Sequence, residues 1–161
     1  MREVLEKNGH SFYSDTDTEV IVHLYEEHRE RCVDFLNGIF AFAVWDVKQS
    51  TLYLARDRVG VKPLYYYFDG KKLIFSSEIK AILCHPLKKT IEESALALYF
   101  KMFYVPGPLT LFRDIFKLQP GHYLTYKNNS LKIKRYWDIE ESDSVNNEQD
   151  LINGIRELFL D

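Results

Sequence analysis

An α+β fold built on antiparallel sheets is predicted by three observations. Short apolar runs come in pairs joined across turn residues, helical periodicity flanks them, and 46% hydrophobic with 15% aromatic residues supplies material for a core. The 161 residues fit a single domain with little to spare, and a chain of this size buries roughly two-thirds of its unfolded surface. With 21 basic against 24 acidic residues the net charge is -3, so no nucleic acid or anionic membrane is expected as partner. No apolar run approaches the roughly 20 residues of a membrane span, and the first residues are too charged for a signal peptide. The expected location is the cytoplasm. Cys32 and Cys84 are too few for a disulfide framework and read as reduced thiols.

In chain order, Val4 and Leu5 followed by Asn8-Gly9 read as the end of a helix. Thr16 with Glu19 three residues on fits a capping box opening a second helix, apolar at Val20, Val22, Leu24 and Tyr25 and ending in the charges of 26–31. The run 39–47 is the most hydrophobic of the chain and reads as a strand buried on both faces, with Trp45 in the core. A turn at 48–50 returns it as a second strand over 51–55. A second hairpin joins 64–68 to 72–76 across Asp69-Gly70, and the four strands together are expected to form a meander. Residues 78–84 and 92–102 carry helical periodicity, separated by His85-Pro86. A loop region then leads to a third hairpin, 122–127 with 131–136 across Asn128-Asn129-Ser130. Residues 138–150 hold six acidic and no basic residues and read as a solvated linker. Leu151, Ile152, Ile155, Leu158 and Phe159 then form one face of an amphipathic helix.

The run Ala55-Arg56-Asp57-Arg58-Val59-Gly60-Val61-Lys62-Pro63-Leu64-Tyr65-Tyr66 concentrates charge in a reversal. Gly60 permits a sharp turn, and Pro63 fixes its own φ and extends Lys62. On physical grounds alone, an ion-paired hairpin connection outweighs a ligand site here. Tyr65 to Tyr67 read as core rather than as a stacking platform.

Taken with Leu36-Asn37-Gly38-Ile39-Phe40-Ala41-Phe42-Ala43-Val44-Trp45-Asp46 and Phe75-Ser76-Ser77-Glu78-Ile79-Lys80-Ala81-Ile82-Leu83, that run resembles the glutaminase domain of glutamine-dependent asparagine synthetases. The resemblance extends upstream to Ser14-Asp15-Thr16-Asp17-Thr18-Glu19-Val20 and downstream to Tyr104-Val105-Pro106-Gly107-Pro108 and Leu118-Gln119-Pro120-Gly121-His122. It implies an N-terminal-nucleophile hydrolase sandwich of αββα type, two antiparallel sheets between helical layers, incomplete at the N-terminus. In that family an N-terminal cysteine attacks the glutamine side-chain amide with its own α-amino group as base. Ammonia passes to a synthetase domain that uses ATP and magnesium to convert aspartate to asparagine.

Residue by residue, the resemblance carries over one binding position. Asp17 corresponds to the aspartate that holds the α-ammonium of glutamine, whereas spacing alone favours Asp17 as a helix cap. Position 2 is Arg2 rather than cysteine, and neither Cys32 nor Cys84 matches the nucleophile. No catalytic residue is assigned, and the Ser-Gly-Gly-x-Asp-Ser loop of the ATP site is absent, so no cofactor is expected in this chain. His10, His23, His28, His85 and His122 offer no metal spacing beyond a loose His23 and His28 pair, and no metal is expected. The resulting organisation is a partial amidotransferase domain over 1–137, an acidic linker over 138–150, and over 151–161 the first helix of a synthetase domain. The chain by itself is expected to be inactive. The expected partners are glutamine in the complete domain, a synthetase domain or subunit, and a second copy of the chain. The alternative is a non-catalytic interaction module, or one half of a split amidotransferase, that binds a homologue or a synthetase subunit through the apolar face of the last helix.

Overall fold

The computed structural model describes residues 1–140 and 147–160. Helix α1 (Arg2–Lys7) ends at Asn8 before Gly9 at φ +95°, the stop expected from the sequence. Helix α2 (Asp17–His28) continues as a 3-10 helix over Arg29–Phe35. Strands β1 (Ala41–Asp46) and β2 (Thr51–Arg56) make the first hairpin, and β3 (Tyr65–Phe68) and β4 (Leu73–Ser76) the second. Helices α3 (Ile79–Leu83) and α4 (Glu93–Met102) follow. Next come β5 (Ile115–Lys117) and the third hairpin, β6 (His122–Lys127) with β7 (Ser130–Arg135). Its turn is only Asn128-Asn129, both at positive φ, the two-residue geometry that matches strand twist. Helix α5 (Glu148–Leu160) begins three residues ahead of the apolar pattern, and 141–146 of the expected linker lie outside the described residues.

The four strands of the first two hairpins do not form a meander. They are divided between two antiparallel sheets, β1-β2-β6-β7 and β4-β3-β5. Strand β2 takes β6 as its second neighbour, pairing Leu54 with Leu124, while β3 takes β5, pairing Tyr66 with Phe116. Period-2 alternation on the central strands explains the layering. Tyr53, Ala55 and Tyr123 point to one side, where Leu5, Leu24, Tyr25, Cys32 and Val33 of the helical layer cover them. Leu54 and Leu124 point to the other, against Leu64, Tyr66 and Leu118 of the second sheet. Helix α3 packs on β3 and β4, completing the α-β-β-α order. Strand β1 is an edge strand and is not buried on both faces. Phe42 and Val44 pack toward the helical layer, whereas Trp45 is 56% exposed on the opposite face.

The chain crosses between the sheets at Arg56 and Asp57. Asp57 is fully buried, and its two carboxylate oxygens accept the amides of Val61 at 2.9 Å and Lys62 at 3.0 Å. Arg56 donates to the carbonyls of Lys62 and Gly60 at 2.7 Å and of Leu118 at 2.6 Å. Arg56 and Asp57 therefore serve the backbone rather than other side chains; the loop is not the ion-paired hairpin connection expected from the sequence, because β2 and β3 lie in different sheets. Gly60 at φ +72° makes the reversal, and an added Cβ would meet Pro120 at 2.7 Å.

Leu54→Ala removes a fully buried side chain between the sheets and is expected to cost about 3 kcal/mol in urea unfolding. Trp45→Ala, on the open face of an edge strand, is expected to cost under about 1 kcal/mol. For Asp57, burial alone would raise the carboxyl, but the amides of Lys62, Val61 and Gly60 outweigh it and hold it below its ordinary 3.8. A depressed folded value means the ionised form stabilises the fold. That stability is present above the unfolded value and is lost as pH falls through the folded one. Asp57→Asn is therefore expected to cost about 2 kcal/mol at neutral pH, with the difference from the parent shrinking in unfolding experiments below about pH 4.

Candidate functional site

Asp17 is the first residue of α2, exposed, at the end where helix amides leave a partial positive charge. Its carboxylate has no hydrogen bond or ion pair among the described residues. The expected capping box forms only in altered shape. The Thr16 side chain caps no helix amide and instead lies 2.9 Å from the Ser14 hydroxyl. Glu19 reaches past the helix start and accepts the amides of Tyr13 and Ser14, both at 2.7 Å, and the Ser14 hydroxyl at 2.5 Å. The Ser14 hydroxyl, then the Tyr13 amide, hold the Glu19 carboxyl down to about 2. This clasp fixes the entry into α2 and leaves the Asp17 carboxylate unengaged, so Asp17 is not the cap that spacing alone favoured.

Asp17 lies where two clefts meet, the pair sharing Asp17, Ile21, Ile39 and Phe40. One, of about 360 Å³, is closed on its other side by Lys62, Pro63 and Ser77. The other, of about 520 Å³, runs toward Met1, Arg2 and Gly38. A carboxylate and a lysine on the walls of a small cleft with an apolar floor complement a small zwitterion. The Asp57 clamp on the Lys62 amide places that second wall. Lys62 and Pro63 were visible in the sequence only as part of a turn, because nothing in their spacing places them opposite Asp17.

The two cysteines are far from equivalent. Cys32 is completely buried, and desolvation pushes its thiol up to about 11, which suppresses thiolate formation. Cys84 is exposed after α3, and its thiol donates to the Lys80 carbonyl at 3.3 Å. Neither lines a cleft that contains Asp17. The loose His23 and His28 pair does not come together, since His28 stacks on Phe35 with ring centroids 4.1 Å apart. Among the described residues, no helix is long and apolar enough to cross a membrane.

Comparison with known proteins gives this arrangement its context. The glutamine amidotransferase domain family matches residues 1–137. The chain is 44% identical over its whole length to asparagine synthetase [glutamine-hydrolyzing] 3 of Bacillus subtilis, covering 26% of that protein. It is 35% identical over 99% of its length to a putative asparagine synthetase [glutamine-hydrolyzing] 2 of Methanocaldococcus jannaschii, covering 32% of it. The chain thus spans about a quarter to a third of the length of these relatives. Among solved structures, glutamine phosphoribosylpyrophosphate amidotransferase of B. subtilis superposes with a TM-score of 0.55 at 19% identity, over 84% of this chain and 26% of that one. That likeness bears out the expected α+β sandwich of antiparallel sheets and helices. The hairpins, the Arg56-Asp57 crossover and the match over 1–137 lead to one conclusion: this chain belongs to the glutamine amidotransferase domain family, and resembles throughout the amidotransferase domain of asparagine synthetases.

Proposed function

We propose that this chain is the amidotransferase portion of a glutamine-dependent asparagine synthetase of the cytoplasm. Its task is to release ammonia from the glutamine side chain for a synthetase portion that uses ATP and magnesium to turn aspartate into asparagine. The observation that carries the reading is Asp17, an unengaged carboxylate at a helix start on the wall of a cleft, at the position the resemblance assigns to the glutamine α-ammonium. A charge-assisted contact of this kind orients the ligand so that its side-chain amide projects away from the anchored end.

The chemistry requires a thiolate that adds to the amide carbon, expels ammonia, and leaves a thioester for water to hydrolyse. Neither cysteine of this chain suits that role, Cys32 because it is buried with a raised thiol, Cys84 because it lies outside the Asp17 clefts. In the complete enzyme a cysteine from elsewhere performs the attack, while Asp17 binds. Helix α5 then opens the synthetase portion, which would cover Leu158 and Phe159, now 82% and 88% exposed. The same apolar face favours a second reading, an interaction module or split half that docks on a homologous chain.

In the complete enzyme carrying this sequence, Asp17→Asn is expected to raise the KM for glutamine by about tenfold or more, the worth of one charge-assisted hydrogen bond. Synthesis from added ammonia should stay unchanged, and an unchanged glutamine KM would refute the assignment. For the chain by itself, millimolar glutamine is expected to leave the melting temperature unmoved and to yield no glutamate above blank, because one ion pair does not offset the cost of ordering a small ligand. Sustained glutamate release would locate the nucleophile in Cys84 and overturn the account.

A further inference from the structure

Two groups on α2 and one from the segment before it converge away from the clefts that contain Asp17. His10, just past α1, and His23, in the middle of α2, bring their Nδ1 atoms to 2.9 Å. Glu26 Oε2 lies 3.2 Å from His23 Nδ1 and 3.6 Å from His10 Nδ1. Phe12 packs edge-on against the His23 ring, 4.5 Å between centroids, and closes one side.

The outer nitrogen of His10 has a carboxylate partner. His10 Nε2 is 3.1 Å from Glu27 Oε1, and an ionised carboxylate only accepts, so that nitrogen carries a proton. His23 Nε2 is buried without a hydrogen bond, and Glu19 Oε1 lies 3.8 Å from it. With its proton there, His23 too presents a bare Nδ1. Arg2, the nearby permanent cation over Phe12, is engaged by Glu6 and Asp15. In that tautomer pair the two Nδ1 lone pairs and the Glu26 carboxylate oxygen face one small space, an arrangement a bound cation would accept.

We propose that His10 Nδ1, His23 Nδ1 and Glu26 Oε2 form a binding site for one divalent transition-metal ion of the zinc class. Ligand atoms of a tetrahedral zinc at about 2.0–2.1 Å stand about 3.3 Å apart, close to the 2.9, 3.2 and 3.6 Å found here. Two imidazoles and one carboxylate suit zinc over magnesium or calcium, which favour all-oxygen sites. Glu27 behind His10 supplies the carboxylate that orients a metal-bound imidazole. The bound ion would pin the segment between α1 and α2 to the flank of α2.

The test is a titration of the EDTA-stripped, dialysed chain with zinc chloride, read by calorimetry and thermal melting. One zinc per chain with a rise in melting temperature is expected. In E26Q, whose side chain is 59% exposed and so replaceable without repacking, the metal-free melting temperature should match the parent while zinc affinity falls tenfold or more. Cobalt in place of zinc should give the visible bands of a four-coordinate nitrogen and oxygen site. The proposal is overturned by an absence of saturable zinc binding, by E26Q binding as tightly as the parent, or by a thiolate-to-cobalt band that would move the ion to Cys84.

Discussion

The buried Asp57 carboxylate is the constraint on which the rest of the molecule depends. An ionised group this far from water persists only if its lone pairs are filled, and the chain fills them by turning back at once to offer the amides of Val61 and Lys62. The same residue joins three other points of the chain through its backbone. Its amide donates to the Phe40 carbonyl, and its carbonyl accepts from Gly60 and Gly121. Arg56 beside it binds the Leu118 carbonyl, and the Tyr136 hydroxyl donates to the Arg56 carbonyl at 2.8 Å. The start of β1, the end of β2, the approach to β6 and the end of β7 thus meet at one dipeptide. A strand that would otherwise continue into the next hairpin is handed to the second sheet there.

That hand-over also builds the candidate site. Because Asp57 fixes the Lys62 amide, Lys62 and Pro63 stand as one wall of the cleft whose other wall carries Asp17. The Asp17 wall is fixed by a separate device, the Glu19 clasp on Tyr13 and Ser14. A buried carboxylate and a half-buried one thus perform the same mechanical task on opposite sides, each ordering a backbone segment by accepting its amides. The Asp17 carboxylate is left without an internal partner among the described residues. An unpaired charge is wasteful for stability, and it is the form a binding group takes before its ligand arrives.

What was legible in the sequence follows from how local its cause is. The three hairpins were readable because Asp69-Gly70 and Asn128-Asn129 force their turns within a few residues, Gly70 lying at φ +91°. The stop at Asn8-Gly9 was readable for the same reason. The division into two sheets was not, because neighbour choice is settled by the Asp57 hydrogen bonds and by Leu54 and Leu124 meeting Leu64 and Leu118 across the sandwich. Strand β5, with three residues, is too short to show a period and exists only as a partner for β3. Trp45 carries the alternation of a buried strand but sits at a sheet edge, which hydrophobicity alone does not reveal. Asp17 was found through the resemblance, since its spacing equally describes a cap. The His10 and His23 contact was hidden because the pair stands 13 positions apart, one in the segment after α1 and the other within α2.

The central claim is that the Asp17 cleft receives the α-amino end of glutamine. The most direct measurement is a crystal structure of the complete protein carrying this sequence, with a glutamine analogue bound. The account predicts the ligand ammonium within about 3 Å of the Asp17 carboxylate, as a charge-assisted hydrogen bond requires, with the ligand in the cleft between α2 and Lys62-Pro63. A ligand anchored elsewhere, with the Asp17 carboxylate left to solvent, would contradict it.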